Sequence, residues 1–203
     1  MIFPKAFSDL IESLKKLPGI GEKTAERLAF AILDYTEEDA KEFSDNILNV
    51  KKNIHNCSIC GSLTDQDICM ICSDKTRNSE EIIVVEDPKD VFILEKIGNF
   101  NSYFHVLGGL ISPIDDISPE DIRIKELITR VSDGNIKEVI LATKTSIESD
   151  MTALYISKLL STKDVKVTRI ASGIPIGADM DYVDSLTLES ALKNRKEIKN
   201  NID

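Results

Sequence analysis

The sequence predicts an α+β chain in three parts: a helical N-terminal unit, a small metal-binding module, and an α/β domain with a mostly parallel sheet. Three observations carry that expectation. Up to residue 54 the apolar residues recur at helical spacing, all four cysteines fall between Cys57 and Cys72, and from Glu81 onward short β-branched runs alternate with helical stretches. The boundaries drawn on these grounds are 1–54 for the helical unit, 55–78 for the cysteine module, 79–175 for the α/β domain and 176–203 for a C-terminal segment with one more helix.

Phe3, Phe7, Leu10, Ile11, Leu14 and Leu17 mark a first helix, which the run Pro18-Gly19-Ile20-Gly21 breaks. A second follows with Ala25, Leu28, Ala29, Ile32 and Leu33 on one face. A third spans Glu37 to Asn53, with Ala40, Phe43, Ile47 and Leu48 apolar, and the cysteine loop after Ile54 closes the helical unit. Glu81 to Asp87 is a β-branched run ending at Asp-Pro, as expected of a strand buried on both faces. Pro88 opens a helix over 88–97, and 102–109 is a second strand ending in paired glycines. A helix follows with Pro119 near its start and Gly134 just past its end. Strands over 137–143 and 166–171 flank a helix over 148–161, on which Met151, Leu154, Tyr155, Lys158 and Leu159 mark the turns. A last helix over 184–201 frays into a polar end. Strand and helix alternate, so the sheet is expected to be parallel.

The chain has 203 residues, 42% apolar and 30% charged, an ordinary balance for a soluble globular protein. It shows no apolar run suited to a signal peptide or a membrane span, which places it in the cytosol. Cytosolic thiols are kept reduced, which argues against structural disulfides. A redox centre usually needs one C-x-x-C, whereas here two face each other across eight residues. Zinc remains: two such turns aim four thiolates at one point, so Cys57, Cys60, Cys69 and Cys72 are expected to hold one structural Zn2+. Gly61 follows the second ligand, where the backbone must curl under sulfur. His55 reads as a surface histidine, Met70 and Ile71 as filling of the cysteine loop, and His105 as a hydrogen-bonded core residue. The net charge of −10 argues against nonspecific nucleic-acid binding by the whole surface, so a DNA-binding role needs a local basic patch. The glycine-containing loop from Ala171 to Tyr182 lacks the G-x-x-x-x-G-K-[ST] phosphate loop, and no ATPase activity is expected.

Leu17 to Phe30, "LPGIGEKTAERLAF", resembles a helix-hairpin-helix motif. Gly19 and Gly21 permit a tight turn and close approach of backbone to phosphate, and the amides that follow open a helix whose N-terminus favours an anion. Lys23 and Arg27, four apart, can hold a DNA backbone without reading its sequence. A plain helical hairpin, packing on itself or on a second subunit, fits the same residues. The α/β part resembles a Toprim domain in "IIVVED", in the paired glycines after the second strand and in "VILATKTSIESD" after the third. A catalytic Toprim site sets a glutamate after strand one beside a D-x-D pair after strand three, and together they hold magnesium. Glu86 fits the first place, but the D-x-D place reads Lys144-Thr145-Ser146. Glu148 and Asp150 follow, leaving either a weak divalent site with Glu86 or solvated acids at the start of a helix.

The order of these parts resembles the bacterial RecR family of recombination mediators. The matching stretches are Leu17–Phe30, Cys57–Asp74, Ile82–Lys96, His105–Ile122, Glu138–Leu160 and Val165–Leu192. The resemblance implies a non-catalytic scaffold of recombinational DNA repair, cytoplasmic and nucleoid-associated. Such a scaffold forms dimers or tetrameric rings around single- or double-stranded DNA. It works with RecO, and in many bacteria RecF, to load RecA. It implies that Lys23 and Arg27 face the ring's hole and that Glu86, Asp87 and the acids around Glu148, Asp150 included, meet RecO. The zinc module would stiffen the joint between the DNA-facing helices and the Toprim domain. The chain departs from the family in two loops. Where Asn-Pro-Thr-x-Glu-Gly-Glu is common, residues 144–150 read Lys-Thr-Ser-Ile-Glu-Ser-Asp, and Asp116 and Ser118 stand where glycines are frequent. The alternative is a magnesium-dependent Toprim nuclease or primase-like enzyme, which the lysine at 144 disfavours.

Overall fold

The computed structural model describes residues 3–98, 100–133 and 135–195. The chain folds as two compact units, Met1–Ile54 and His55–Asp203.

The first unit is helical. Helices α1 (Lys5–Lys15) and α2 (Glu22–Leu33) share a core of Phe7, Ile11, Ala25 and Ala29. Two alanines at i and i+4 on α2 let the helices approach closely, and Phe3, Leu10, Leu14 and Ile20 close the rim. Helix α3 (Glu37–Asn53) begins with a capping box between Thr36 and Asp39, the hydroxyl accepting from the Asp39 amide at 3.1 Å. This helix buries none of its residues.

The second unit starts with a short antiparallel pair, β1 (His55–Asn56) and β2 (Leu63–Thr64), and a one-turn helix α4 (Met70–Ser73). Then come β3 (Asn78–Val85), α5 (Pro88–Ile97), β4 (Ser102–Val106), α6 (Ile124–Asp133), β5 (Glu138–Leu141), α7 (Ile147–Leu160), β6 (Lys166–Arg169) and α8 (Ser185–Lys193). Among the described residues the strands form a four-stranded sheet in the order β4-β3-β5-β6, and every pairing in it is parallel. Side chains alternate across β3. Ile82 and Val84 face a core with Leu127 and Val131 of α6 and Ile156 and Leu160 of α7, while Ile83 and Val85 join Phe104, Val106 and Val91 of α5. With both faces covered, the strand reads as an unbroken apolar run.

Several elements differ from expectation. The cysteine module does not close the helical unit: it folds with the sheet. The Val106 amide donates to the Cys60 carbonyl at 2.7 Å, and Ile71 packs beside Val85 and Val91. Just after the module, Arg77 grips Glu95 of α5 through two hydrogen bonds of 2.7 and 2.8 Å and donates to the Ser102 carbonyl. Helix α6 starts at Ile124, not near Pro119. The Ser118 amide and hydroxyl donate to Asp121, making a turn, and the Arg123 amide donates to the Leu107 carbonyl. The sheet thus claims the backbone that periodicity assigned to a helix. Gly134, expected past the helix end, and residues 196–201 of the last helix lie outside the described residues. Asp116 adopts φ +57°, the left-handed region that favours glycine, at one of the two positions where the sequence departs from the expected glycine.

His105 is the buried core histidine expected. Its Nε2–H donates to the Arg123 carbonyl at 2.8 Å, which leaves Nδ1 to accept from Arg130 at 3.4 Å. Burial holds its pKa down at about 3, and the nearby Arg130 and Arg123 charges act in the same direction. The folded state keeps the ring neutral, while the unfolded chain takes up a proton below about pH 6.5. This stabilising contribution is therefore complete above pH 6.5 and drains as pH falls toward 3. His105→Gln should remove that sensitivity: in denaturant titrations the wild type should lose about 2 kcal/mol more than the variant between pH 7 and pH 5. Equal losses would show that the ring charges freely in the folded protein.

Candidate zinc centre and nucleic-acid interface

The four cysteines come together. Cys57 and Cys60 are fully buried, Cys69 is nearly so, and the four Sγ atoms all lie within 4.8 Å of one another, with Cys60 and Cys69 3.5 Å apart. A zinc tetrahedron with ~2.3 Å bonds has edges of about 3.8 Å, so the donor set fits the ion. Backbone amides point at the sulfurs as well. Those of Cys69, Ser62 and Cys72 donate to Cys57, Cys60 and Cys69 at 3.3, 3.4 and 3.5 Å. Among the thiols alone, Cys60 is drawn down to about 5 by a hydrogen bond from Cys72, Cys69 is pushed up to about 11 by burial, and Cys72 is raised by holding its proton on Cys60. Four clustered thiolates, three of them buried, need a cation, and one Zn2+ supplies it. Gly61 has φ +77°, and a Cβ there would meet Arg123 Nε at 2.9 Å and the Val106 carbonyl at 3.2 Å. The ion is structural: with four sulfurs around it, no position is open to a substrate. His55 is exposed and outside the ligand group. Met70, expected to fill the loop, is 85% exposed, and Ile71 alone of the two packs beside the cysteines.

The expected acids lie at the carboxyl ends of β3 and β5. Glu86 and Asp87 follow β3, and Lys144 follows β5. Lys144 Nζ donates to Glu86 Oε1 at 2.9 Å, and Lys89 pairs with Asp87 at 2.8 Å. The Glu86 carboxylate holds the Lys144 ammonium above its usual range. At the start of α7, Ser146 caps the helix and its hydrogen bond keeps the Glu148 carboxyl below the usual range. Asp150 is paired with Arg169, which also donates to Ser149 Oγ at 2.9 Å and to the Lys144 carbonyl at 3.1 Å. Sequence reading overlooked Arg169. Its signal was the parallel topology, which brings the end of β6 beside the end of β5. Glu86, Asp87 and Asp150 are each paired with a cation rather than gathered with one another. Among the described residues, the four cysteines are the one group of three or more metal-ligating side chains drawn to a point.

In the helical unit, Gly19 has φ +79° and Gly21 is the N-cap of α2, without a side-chain cap. Nothing lies within 4 Å of where a Cβ would stand on either, so the turn's backbone is open to approach. Lys23 and Arg27 follow on the first turns of α2, both exposed, and neither forms an ion pair with a described residue. Glu22, their acidic neighbour, lies 3.9 Å from Lys15 instead.

Four family models match in chain order: the RecR helix-hairpin-helix over residues 7–51, the RecR four-cysteine zinc finger domain over 54–74, the Toprim domain over 80–171 and the RecR C-terminal region over 173–196. Between them they account for nearly all of the chain from residue 7 to residue 196.

Metal analysis of purified protein should find one zinc per chain. Stripping it with a chelator, or Cys69→Ser, should lower the thermal midpoint of unfolding markedly, because binding energy at a structural zinc is folding energy. A metal-free protein with an unchanged midpoint would contradict the assignment.

Proposed function

The chain belongs to the RecR family of DNA repair and recombination proteins, and on that premise we propose that it is a DNA-binding recombination mediator, a non-catalytic scaffold that works with RecO, and with RecF where present, to load RecA onto single strands. The observation that carries this reading is the open glycine turn at Gly19–Gly21, followed at once by the exposed Lys23 and Arg27, which form no ion pair with a described residue. A backbone cradle and two cations hold phosphates of single- or double-stranded DNA alike, since such contacts position without reading bases. The net charge of −10 disfavours nonspecific DNA binding by the surface as a whole.

Assembly into dimers or a tetrameric ring belongs to the same reading. Helix α3 buries nothing, and Phe43, Ile47, Leu48 and Val50 on it stand about half exposed, as do Phe30 and Leu33 on α2. Apolar surface of this kind is covered in a working assembly. Glu86, Asp87, Glu148 and Asp150 are the acids we assign to the partner surface that RecO meets. The protein acts on nucleoid DNA in the cytoplasm under this proposal. Among the described residues, no helix is long and apolar enough to cross a membrane.

Anisotropy titrations with labelled oligonucleotides at two salt concentrations test the reading. Lys23→Ala with Arg27→Ala should weaken binding at least about tenfold at low salt and flatten the salt dependence by about two released ions. Unchanged affinity would reduce the protein to an adaptor whose basic positions are incidental. Labelled DNA incubated with Mg2+ should stay intact; cleavage abolished by Glu86→Ala would favour an enzyme instead.

A further inference from the structure

The four zinc ligands are not equivalent. Cys57 and Cys60 expose no surface and Cys69 only 5%, whereas Cys72, on the one-turn helix α4, is partly open to solvent. The backbone divides them in the same way. Amides of Cys69, Ser62 and Cys72 donate to the sulfurs of Cys57, Cys60 and Cys69, and among the described residues no backbone amide donates to Cys72 Sγ. A metal-bound thiol is deprotonated outright, so with zinc in place all four sulfurs are thiolates. A hydrogen bond from an amide draws charge from a thiolate, and the thiolate is the nucleophile. Of the four, Cys72 alone combines a sulfur undamped by an amide with access from solvent. A second sulfur stands ready to resolve what forms there. Cys69 caps α4 and Cys72 is the third residue of that helix, with the two Sγ atoms within 4.8 Å of each other.

We propose that Cys72 is a modification site for hydroperoxides, and that its oxidation unlocks the zinc module. The Cys72 thiolate attacks one oxygen of hydrogen peroxide, the O–O bond breaks and hydroxide leaves, giving a sulfenic acid on Cys72. The Cys69 thiolate then attacks that sulfur, an S–S bond forms and a second hydroxide leaves. Two thiolates thereby lose two electrons, and one peroxide is reduced to two hydroxide ions. Cys57 and Cys60 are left as the remaining thiolates, too few to hold a structural zinc. The consequence reaches the sheet, because the module is seated there by the Cys60 carbonyl on the Val106 amide and by Ile71, the residue before Cys72. This inference is independent of DNA binding, since metal and thiol chemistry read it out.

The test uses the full, zinc-loaded chain. A substoichiometric amount of N-ethylmaleimide, quenched and mapped by mass spectrometry, should label Cys72 at least about tenfold more than any other cysteine, because reaction follows thiolate character and exposure. Excess hydrogen peroxide should release zinc to a chromogenic chelator in step with a Cys69–Cys72 disulfide in non-reduced peptide maps. Cys72→His keeps a four-coordinate set of three cysteines and one histidine while removing the reactive sulfur. It should lose zinc to peroxide at least about tenfold more slowly than the wild type. Labelling spread evenly over the four cysteines, or led by one of the other three, would overturn the proposal. So would a peroxide-induced disulfide that excludes Cys72, or a histidine variant that retains zinc yet releases it as fast as the parent. Should the substitution cost the variant its zinc, the labelling pattern of the wild type decides alone.

Discussion

Ile82, Ile83, Val84 and Val85 are shut away from water on both faces of a parallel sheet, and a strand so placed must find backbone partners on both edges. β4 and β5 supply them, and the rest of the second unit follows. The ladder continues past the strands' ends, with the Leu107 amide donating to Val85 and the Gly108 amide to Glu86, at 2.9 Å each. On the other edge the Ala142 amide donates to Val84 at 2.8 Å. These bonds fix where β3 stops, and therefore where Glu86 leaves the sheet. Lys144, two residues past Ala142, is brought to it by the same register, although 58 residues separate the pair. The ion pair is thus a product of the sheet, and the sheet is a product of four adjacent apolar side chains.

Much of this was legible in the sequence because the signals were local. A β-branched run bounded by Asp-Pro located the buried half of β3, which begins at Asn78 and ends at Val85 rather than running from Glu81 to Asp87, and the start of α5, and the cysteine spacing by itself implied a tetrahedral ion. What escaped was decided at a distance. The segment before α6 has helical periodicity from Pro119 onward, yet the Leu107 carbonyl takes the Arg123 amide and delays the helix to Ile124. Met70 looked like loop filling, but one turn of helix sends it to solvent while Ile71 turns inward. Arg169 was passed over because nothing in "KVTRIA" names its partner; only the placement of β6 beside β5 does.

Charge is distributed with the same economy. In a chain carrying ten more acidic than basic groups, Lys23 and Arg27 form no ion pair with a described residue, although Glu22 and Glu26 sit beside them in sequence. At the carboxyl ends of the strands the opposite holds, and Glu86, Asp87 and Asp150 each have a basic neighbour within reach. Exposed pairs of this kind add little to stability, so their effect is on what the surface attracts rather than on how firmly the unit holds.

The glycine behind the second cysteine has a consequence for protein engineering. Its missing side chain is what lets the Cys60 turn lie against Arg123 and the last residue of β4. A knuckle borrowed from another zinc protein, matched only in the intervals between its cysteines, would bind its metal and still fail to seat. Transplanting this module in either direction therefore means carrying over a footprint on the host sheet as well as a set of ligands, and chimaeras cut at the cysteines alone should be expected to fold as loose ends.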